Sequence, residues 1–365
     1  MNSKKRIKKI FSNLDDSVDL ILIKNQSEPF IDNNFFYTTG INQGLFEGCV
    51  ALLYKDGNID IIVSPLESGL AKNSGHNVFI YNNSKELDRI LKNKISESKN
   101  LGLNFNGITH KTYCSLKNLF SKNEIIDISN GLTKSRMIKD TQEIELIKKA
   151  CDIASKVASK IPDICSKGMF EYELSAEIDY LLQKNGANSS AFTTISSFGK
   201  NTSNPHYTHG NYKLKDGDFI LCDFGARYKR YNSDMTRTFV LGKPNQKQKK
   251  IYETVLKSQE KGFENIKPGI AAKDVHNVVN DFINKTEFKD LFIHSTGHSL
   301  GMDVHDPGVG FNSKCDITLK ENMVLTVEPG IYLPNLGGVR IEDDILIKED
   351  GIEILTTASR YFIEI

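Results

Sequence analysis

Acidic and histidine residues gather in five short segments in the second half of this 365-residue chain. Carboxylates and a neutral imidazole together form an oxygen and nitrogen ligand set for hard or borderline divalent ions. Four carboxylates would balance two such ions that share a bridging hydroxide, with the ions about 3.5–4 Å apart. The pattern therefore points to metal-assisted hydrolysis. The segments read His206-Tyr-Thr-His209, Asp223-Phe-Gly225, Ser233-Asp234, His294-Ser-Thr-Gly-His298 with His305-Asp306, and Glu328-Pro-Gly330 with Arg340-Ile-Glu342.

Two of the aspartates are predicted to face each other across a hairpin. Each lies in a strand-like run, and a polar turn joins the two runs. A turn centred between Tyr228 and Lys229 would place Asp223 directly opposite Asp234, with their Cβ atoms about 4.5–5.5 Å apart. Carboxylates that close repel each other unless a cation or a shared proton lies between them. The pair alone is equally compatible with a solvated hairpin that carries two unrelated acids, but the apolar runs around these acids indicate burial, and buried acids are normally paired.

The elements that must position these residues belong to the second of two predicted domains. Before it, short apolar runs alternate with helical patterns and include a hairpin signal at Asp56-Gly57, which is typical of an α/β domain. Asp140 followed by Glu143 is a capping-box pattern that opens a new helix. We therefore predict an α/β domain over residues 1–132 and a catalytic domain over residues 133–365.

Composition excludes several classes of protein. A formal net charge of +1 argues against a chain that coats nucleic acid or an anionic membrane. The longest apolar stretches, such as Cys49–Tyr54, fall far short of the ~20 residues that a membrane-spanning helix needs. No long apolar run follows the basic N-terminus, and the six cysteines form no CxxC pair. A cytoplasmic protein with neither a nucleic-acid nor a membrane partner is therefore expected.

Taken together, the motifs resemble the pita-bread metallopeptidase family, which includes methionine aminopeptidase, aminopeptidase P, prolidase and creatinase. Phe36-Tyr37-Thr-Thr-Gly40 is similar to a signature in the N-terminal domain of its two-domain members. Ser135-Arg-Met-Ile-Lys139 is similar to the segment that leads into the family's catalytic domain. The resemblance implies a creatinase-like α/β domain followed by an α+β pita-bread catalytic domain. It also implies five metal ligands, namely Asp223, Asp234, His298, Glu328 and Glu342.

The same resemblance implies roles for the remaining motif residues. His305 would hydrogen-bond the scissile carbonyl or the oxyanion that forms from it. His206 would contact the peptide beyond the scissile bond. His294 would line a pocket for proline, although a structural histidine with satisfied hydrogen bonds explains it equally well. Arg340, two residues before Glu342, would orient that carboxylate.

A mechanism and a cofactor follow from the implied ligand set. Asp234 and Glu342 would bridge two divalent ions, whose combined charge lowers the pKa of a shared water. Glu328 would take the proton of that water and pass it to the leaving proline nitrogen. Mn²⁺ is the expected metal, and Co²⁺, Zn²⁺ or Fe²⁺ could fill the same ligands. The resemblance also implies a homodimer and a proline-containing peptide as substrate.

Several features separate the members of the family. The long N-terminal domain argues against a methionine aminopeptidase, and the complete ligand set argues against creatinase and against a non-catalytic binding module. Ser299 after His298, and Asp306 after His305, are closer to aminopeptidase P than to prolidase. Residues 306–327 contain no arginine, whereas many prolidases use one there to bind the free carboxylate of a dipeptide. We therefore expect an Xaa-Pro aminopeptidase, with prolidase, an Xaa-Pro dipeptidase, as the alternative.

Overall fold

The computed structural model describes residues 3–15 and 17–365. The chain divides into two compact units, residues 1–136 and residues 137–365. A helix, Ser129–Met137, runs through the boundary predicted at residues 132/133. Among the described residues, no helix combines the length and apolar character needed to cross a bilayer.

The first unit is an α/β domain built on one six-stranded sheet. The hairpin predicted at Asp56-Gly57 is confirmed, since Leu53 pairs with Ile59 and Gly57 has a φ of 91°, a conformation that favours glycine. Its strands are β1 (Leu20–Lys24), β2 (Val50–Tyr54), β3 (Ile59–Val63), β4 (Asn77–Ile80), β5 (Asn100–Leu103) and β6 (Glu124–Asp127). Its helices are α1 (Ser3–Ser12), α2 (Asn33–Thr39), α3 (Ser68–Lys72), α4 (Ser84–Ile95), α5 (His110–Leu119) and α6 (Ser129–Met137).

The order of strands in this sheet is β4-β3-β2-β1-β5-β6. The pairs β1–β2 and β2–β3 are antiparallel, and the other three pairs are parallel. One face of the sheet packs against α4 and α5. Leu87, Leu91 and Ile95 recur every four residues along α4, so that all three reach the apolar cluster under the helix.

The second unit has the expected α+β composition. The capping box of Asp140 and Glu143 is confirmed at the start of its first helix. Its helices are α7 (Thr141–Ala158), α8 (Ile161–Ile164), α9 (Glu171–Lys184), a 3₁₀ turn (Gly199–Ser203), α10 (Gln246–Asn265) and α11 (Ala272–Asn284). Its strands are β7 (Ser189–Ser190), β8 (Ile195–Phe198), β9 (Phe219–Phe224), β10 (Ala226–Tyr228), β11 (Tyr231–Asn232), β12 (Met235–Val240), β13 (Gly297–His298), β14 (Gly310–Phe311), β15 (Val324–Val327), β16 (Gly330–Leu333), β17 (Gly337–Arg340), β18 (Asp343–Lys348) and β19 (Gly351–Ile354).

Two three-stranded antiparallel sheets carry most of the acidic motifs. Their strand orders are β12-β9-β8 and β15-β18-β19. Helices α7 and α9 cover one face of the first sheet, where Cys222 and Phe224 enter the core beneath them. Because side chains alternate along a strand, Asp223 points to the opposite face. Asp223 and the apolar core therefore lie on opposite faces of the same strand.

The predicted direct pairing of Asp223 with Asp234 is wrong. Asp223 lies opposite Thr236, so Asp234 is its diagonal neighbour on the same face. The turn centres between Lys229 and Arg230, one residue later than predicted. Both turn residues have positive φ, 46° and 73°, as a two-residue hairpin turn of type I′ requires. The sequence lacks the Asn-Gly or Asp-Gly pair that would have marked this turn.

Candidate active site

One cavity of about 490 Å³ in the second unit brings together all nine residues that the sequence predicts for the site. Three apolar side chains that the sequence analysis did not name also line it, namely Phe192, Ile195 and Val304. The nine residues are His206, Asp223, Asp234, His294, His298, His305, Glu328, Arg340 and Glu342.

Strands, and the residues next to their ends, position the acidic residues of the cavity. Asp223 lies within β9, and Asp234 directly precedes β12. Glu328 directly follows β15. Glu342 lies in the short interruption between β17 and β18. Asp223 therefore reaches the cavity from within a strand, whereas the other three acids lie just outside the regular strands, and all four line the same cavity.

His298 completes a cluster with the geometry of a metal site. Ligand atoms of Asp234, His298 and Glu342 lie within 4.8 Å of one another. His298 Nδ1 donates a hydrogen bond to the Ser299 carbonyl at 3.1 Å, which leaves the Nε2 lone pair free. That Nε2 lies 3.5 Å from Asp234 Oδ2 and 3.7 Å from Glu328 Oε1. Burial, and secondarily the neighbouring His305, lowers the pKa of His298 to about 4, so the ring is in its neutral, metal-binding form.

The carboxylates show the electrostatic cost of sharing a buried site. Burial, reinforced by neighbouring carboxylates, raises the pKa values of Asp234 and Glu342 well above their ordinary range. Burial also raises the pKa of Glu328 to about 8, although Arg340 opposes the shift. Asp223 Oδ1 is buried and has no hydrogen-bond partner among the described residues. A divalent cation would offset the repulsion between the carboxylates, and Asp223 Oδ1 would be available to coordinate it. The residues present therefore fit a metal centre.

Arg340 binds one carboxylate of the site directly and a second one through a hydroxyl. Its Nη2 donates to Asp223 Oδ2 at 2.5 Å, and its Nη1 donates to the Tyr332 hydroxyl at 2.9 Å. Its Nε donates to Thr236 Oγ1 at 3.0 Å, and that hydroxyl donates to Glu342 Oε2 at 2.7 Å. The sequence predicts that Arg340 orients Glu342, and the link between the two side chains runs through the Thr236 hydroxyl. The guanidinium extends across the sheet to β9 and reaches Glu342 only through Thr236.

His294 lines the cavity with both ring nitrogens already bonded to the protein. Nδ1 donates to the Ser295 carbonyl at 2.8 Å. Nε2 accepts from the Tyr332 hydroxyl at 2.8 Å, because that hydroxyl itself accepts from Arg340. Burial lowers the pKa of His294 to about 3, so the ring is neutral. His294 therefore presents a flat, uncharged wall, with Phe292 packed edge-on behind it at 4.9 Å.

His305 stands beside the metal cluster on a loop that Asn232 holds in place. The rings of His298 and His305 lie 4.1 Å apart between centroids. Asn232 donates three hydrogen bonds into the loop, from its backbone N–H and side-chain amide to the carbonyls of residues 301 and 302. Sequence reasoning missed Asn232, because no motif marks an asparagine at the end of a two-residue strand.

A buried ion pair fixes the far end of the same loop. Lys139 Nζ lies 3.3 Å from Asp306 Oδ2, and their side chains are 1% and 2% exposed. The second oxygen of Asp306 accepts from the backbone N–H of Asp303. The Ser299 hydroxyl likewise bonds within the loop, where it accepts a hydrogen bond from the backbone N–H of Val309. Neither Ser299 nor Asp306 lines the cavity, so both serve packing of the loop.

A second, open cavity of about 580 Å³ adjoins the first. The two share Pro205, His206 and His294, so His206 stands at their junction. Tyr207 and the exposed Ile293 line only the second cavity. A bound ligand that extends past His206 would therefore have space outside the main cavity.

Comparisons with known proteins match the whole chain. The model of metallopeptidase family M24 matches residues 145–349, and that of the creatinase/prolidase N-terminal domain matches residues 5–138. The chain is 37% identical over 347 residues to an Xaa-Pro dipeptidase of Pyrococcus furiosus, covering 93% of this chain and 97% of the relative. Among solved structures, an Xaa-Pro dipeptidase from Bacillus anthracis has a TM-score of 0.92 at 31% identity, with both chains fully covered. An X-Pro aminopeptidase from Thermotoga maritima has a TM-score of 0.90 at 30% identity, covering 95% of this chain and 98% of the other.

These likenesses confirm the expected fold, a creatinase-like α/β domain followed by a pita-bread catalytic domain. They support the dipeptidase alternative better than the Xaa-Pro aminopeptidase that the sequence analysis favoured. The physical reason lies in Ser299 and Asp306. Both were interpreted as marks of substrate preference, whereas both are occupied in packing the loop that carries His305.

Proposed function

We propose that this chain, which belongs to metallopeptidase family M24 and carries a creatinase/prolidase N-terminal domain, is a prolidase that hydrolyses Xaa-Pro dipeptides. The observation that carries the proposal is the cavity lined by four carboxylates and the neutral imidazole of His298, with ligand atoms of Asp234, His298 and Glu342 within 4.8 Å of one another. The dipeptidases among its relatives support the choice of substrate.

Five residues would hold the metal, namely Asp223, Asp234, His298, Glu328 and Glu342. We propose that these side chains would hold two divalent ions, Mn²⁺ by preference, and that Asp234 and Glu342 would share one ligand cluster with His298. When bound, the ions supply an activated water and polarise the scissile carbonyl. Arg340 holds Asp223 in place, and Thr236 does the same for Glu342.

The protein's own groups would move the proton and stabilise the developing charge. Glu328 is placed to accept the proton of the attacking water and to pass it to the proline nitrogen, which must be protonated to leave. His305, one ring away from His298, is placed to donate a hydrogen bond to the oxyanion.

The remaining walls would select proline. His294 has no free nitrogen to offer a substrate, so it would contribute the flat surface of its ring. Phe192 and Ile195 add apolar surface to the same cavity. A pyrrolidine ring, which has no N–H to satisfy, suits such a wall. His206 would contact the part of the substrate beyond the scissile bond.

A specific observation keeps Xaa-Pro aminopeptidase as a second candidate. The open cavity beyond His206 offers room for residues that follow proline. Residues 306–327 also contain no arginine to bind a dipeptide's free carboxylate. A protein that uses this cavity would cleave longer peptides.

Initial rates on Ala-Pro, Ala-Pro-Ala and Ala-Ala at equal metal loading test the proposal. A prolidase cleaves Ala-Pro with the highest kcat/KM and leaves Ala-Ala intact. A higher kcat/KM for Ala-Pro-Ala would identify the aminopeptidase instead. Failure to cleave any of the three, in protein that holds metal, would overturn both candidates.

Three further expectations from the sequence remain proposals. They are a homodimer, a cytoplasmic location and a domain boundary at residues 132/133. Sedimentation velocity of the purified chain tests the first, because a dimer has twice the 41.0 kDa mass of one chain.

A further inference from the structure

A fully buried glutamate outside the cavity binds the segment that carries His206. Glu171 is the first residue of α9, and its side chain has no exposed surface. Its Oε1 accepts from the backbone N–H of Phe198 at 2.8 Å and from Asn201 Nδ2 at 2.9 Å. Its Oε2 accepts from the Tyr207 hydroxyl at 3.1 Å and from the N–H of Gly210 at 2.9 Å. All four donors therefore come from residues 198–210.

The position of His206 depends on this segment more than on packing. Its side chain is exposed, yet it lines both the main cavity and the adjoining one. The next residue, Tyr207, is bound directly to Glu171. Because the donors flank His206 on both sides, one carboxylate fixes the backbone that aims the imidazole at the cavity.

Only a carboxylate can accept all four of these hydrogen bonds. An ionised Glu offers acceptor sites on both oxygens, whereas the amide of Gln has one oxygen and a donor group. Glutamine at position 171 would therefore set its NH₂ against two donors. The same contacts also require glycine at position 210. Any Cβ there would collide with the Tyr207 hydroxyl and lie 3.3 Å from Glu171 Oε2.

We propose that Glu171 is a positioning residue that sets the place of His206, and through it the binding of the substrate beyond the scissile bond. The inference rests on the proposed function for the role of His206. The hydrogen bonds of Glu171 to residues 198–210 do not depend on that function. Hydrogen exchange can therefore test the contacts of Glu171 independently of peptidase activity.

Hydrogen exchange of the full chain tests the contact itself. Glu171→Gln should speed exchange of the amides in 198–210 by about tenfold or more, the equivalent of losing hydrogen bonds to a charged group. Tyr207→Phe removes one of the four bonds and serves if the first variant does not fold. Tyr252→Phe is the matched control, since it removes a buried phenol's bond to the Arg360 carbonyl elsewhere in the unit. Exchange in 198–210 that matches wild type in Tyr207→Phe or Glu171→Gln would overturn the proposal.

Kinetics on Ala-Pro test whether Glu171 acts through His206. Glu171→Gln should raise KM by about tenfold, with kcat and metal content unchanged, because it loosens a binding contact. In a His206→Ala background the same substitution should raise KM no further. An equal increase in both backgrounds would show a general structural effect and overturn the positioning role. If wild-type protein cleaves no Xaa-Pro peptide, the proposed function fails, and the exchange measurement decides on Glu171 alone.

Discussion

Glu328 lies opposite Glu342 at an interruption between two antiparallel ladders that share one register. The β15–β18 pairing ends at Val327 and the β16–β17 pairing begins at Gly330, and both follow the same alignment of residues. Pro329 has no N–H to offer in the interruption. Glu328 instead donates its N–H to a carbonyl of a third strand region, Thr296, and Glu342 donates to Thr236 in β12. At this interruption the backbones of Glu328 and Glu342 therefore bond to neighbouring strand regions instead of to each other, and their two carboxylates lie where these regions meet.

Asp234→Ala should abolish stoichiometric binding of at least one metal ion, because a bridging carboxylate serves both. Equilibrium dialysis followed by elemental analysis measures the number bound. Asp350→Ala, an exposed acid outside the cavity, is the matched control and should bind as wild type does. Two ions held at wild-type affinity by Asp234→Ala would refute the bridging role.

His305→Ala should lower kcat and kcat/KM by similar factors, since the lost hydrogen bond forms only in the transition state. Removing one oxyanion donor costs about 10²–10³ in kcat in a well-studied hydrolase. Metal content should stay normal because His298 remains. Normal activity per folded molecule, with only a lower thermal midpoint, would reduce His305 to a packing residue.

Lys139→Met should destabilise the protein by about 3–5 kcal/mol, because it removes a cation that lies 3.3 Å from the buried Asp306 carboxylate. Urea unfolding of the metal-loaded protein measures the loss. Adding Asp306→Asn removes the stranded charge while keeping an acceptor for the Asp303 N–H, and should recover much of the stability. A double variant no more stable than the single one would show that the charge is not the cause.

The metal-free protein should lose stability as the pH rises from about 5 to about 8. The pKa of Glu328 is raised from 4.5 in the unfolded chain to about 8 in the fold, and those of Asp234 and Glu342 rise in the same direction. A carboxyl with a raised pKa stabilises the fold fully below its unfolded pKa and loses that contribution as the pH passes its folded pKa. Thermal midpoints with chelator and with excess Mn²⁺ measure the effect, which metal should reverse. A midpoint of the chelated protein that rises with pH would contradict the shifts.

The chemistry of the cavity could be predicted from the sequence because it depends on residue types that are recognisable there. Acidic residues within apolar runs of sequence, such as Asp223 and Glu342, cannot be explained as surface residues. Their exact pairing was less accessible. The turn at Lys229 and Arg230 adopts positive φ at two residues that rarely do so, and the predicted register slipped accordingly.

The residues that hold the site in place could not be found from the sequence. Lys139, Glu171 and Asn232 each look like an ordinary polar residue of a helix or loop. Their roles arise from contacts with partners between 27 and 167 positions away along the chain, which only the fold brings together. Tyr332 is a similar case, since nothing in its strand indicates the link between His294 and Arg340.

Metal-dependent cleavage of the Xaa-Pro bond can be measured as hydrolysis of Ala-Pro by protein that is stripped of metal and then reloaded with Mn²⁺. We expect no release of proline after stripping and recovery of activity as the ions rebind, with Asp234→Ala inactive throughout. Undiminished hydrolysis by the stripped protein, or none by the fully loaded protein, would contradict this expectation.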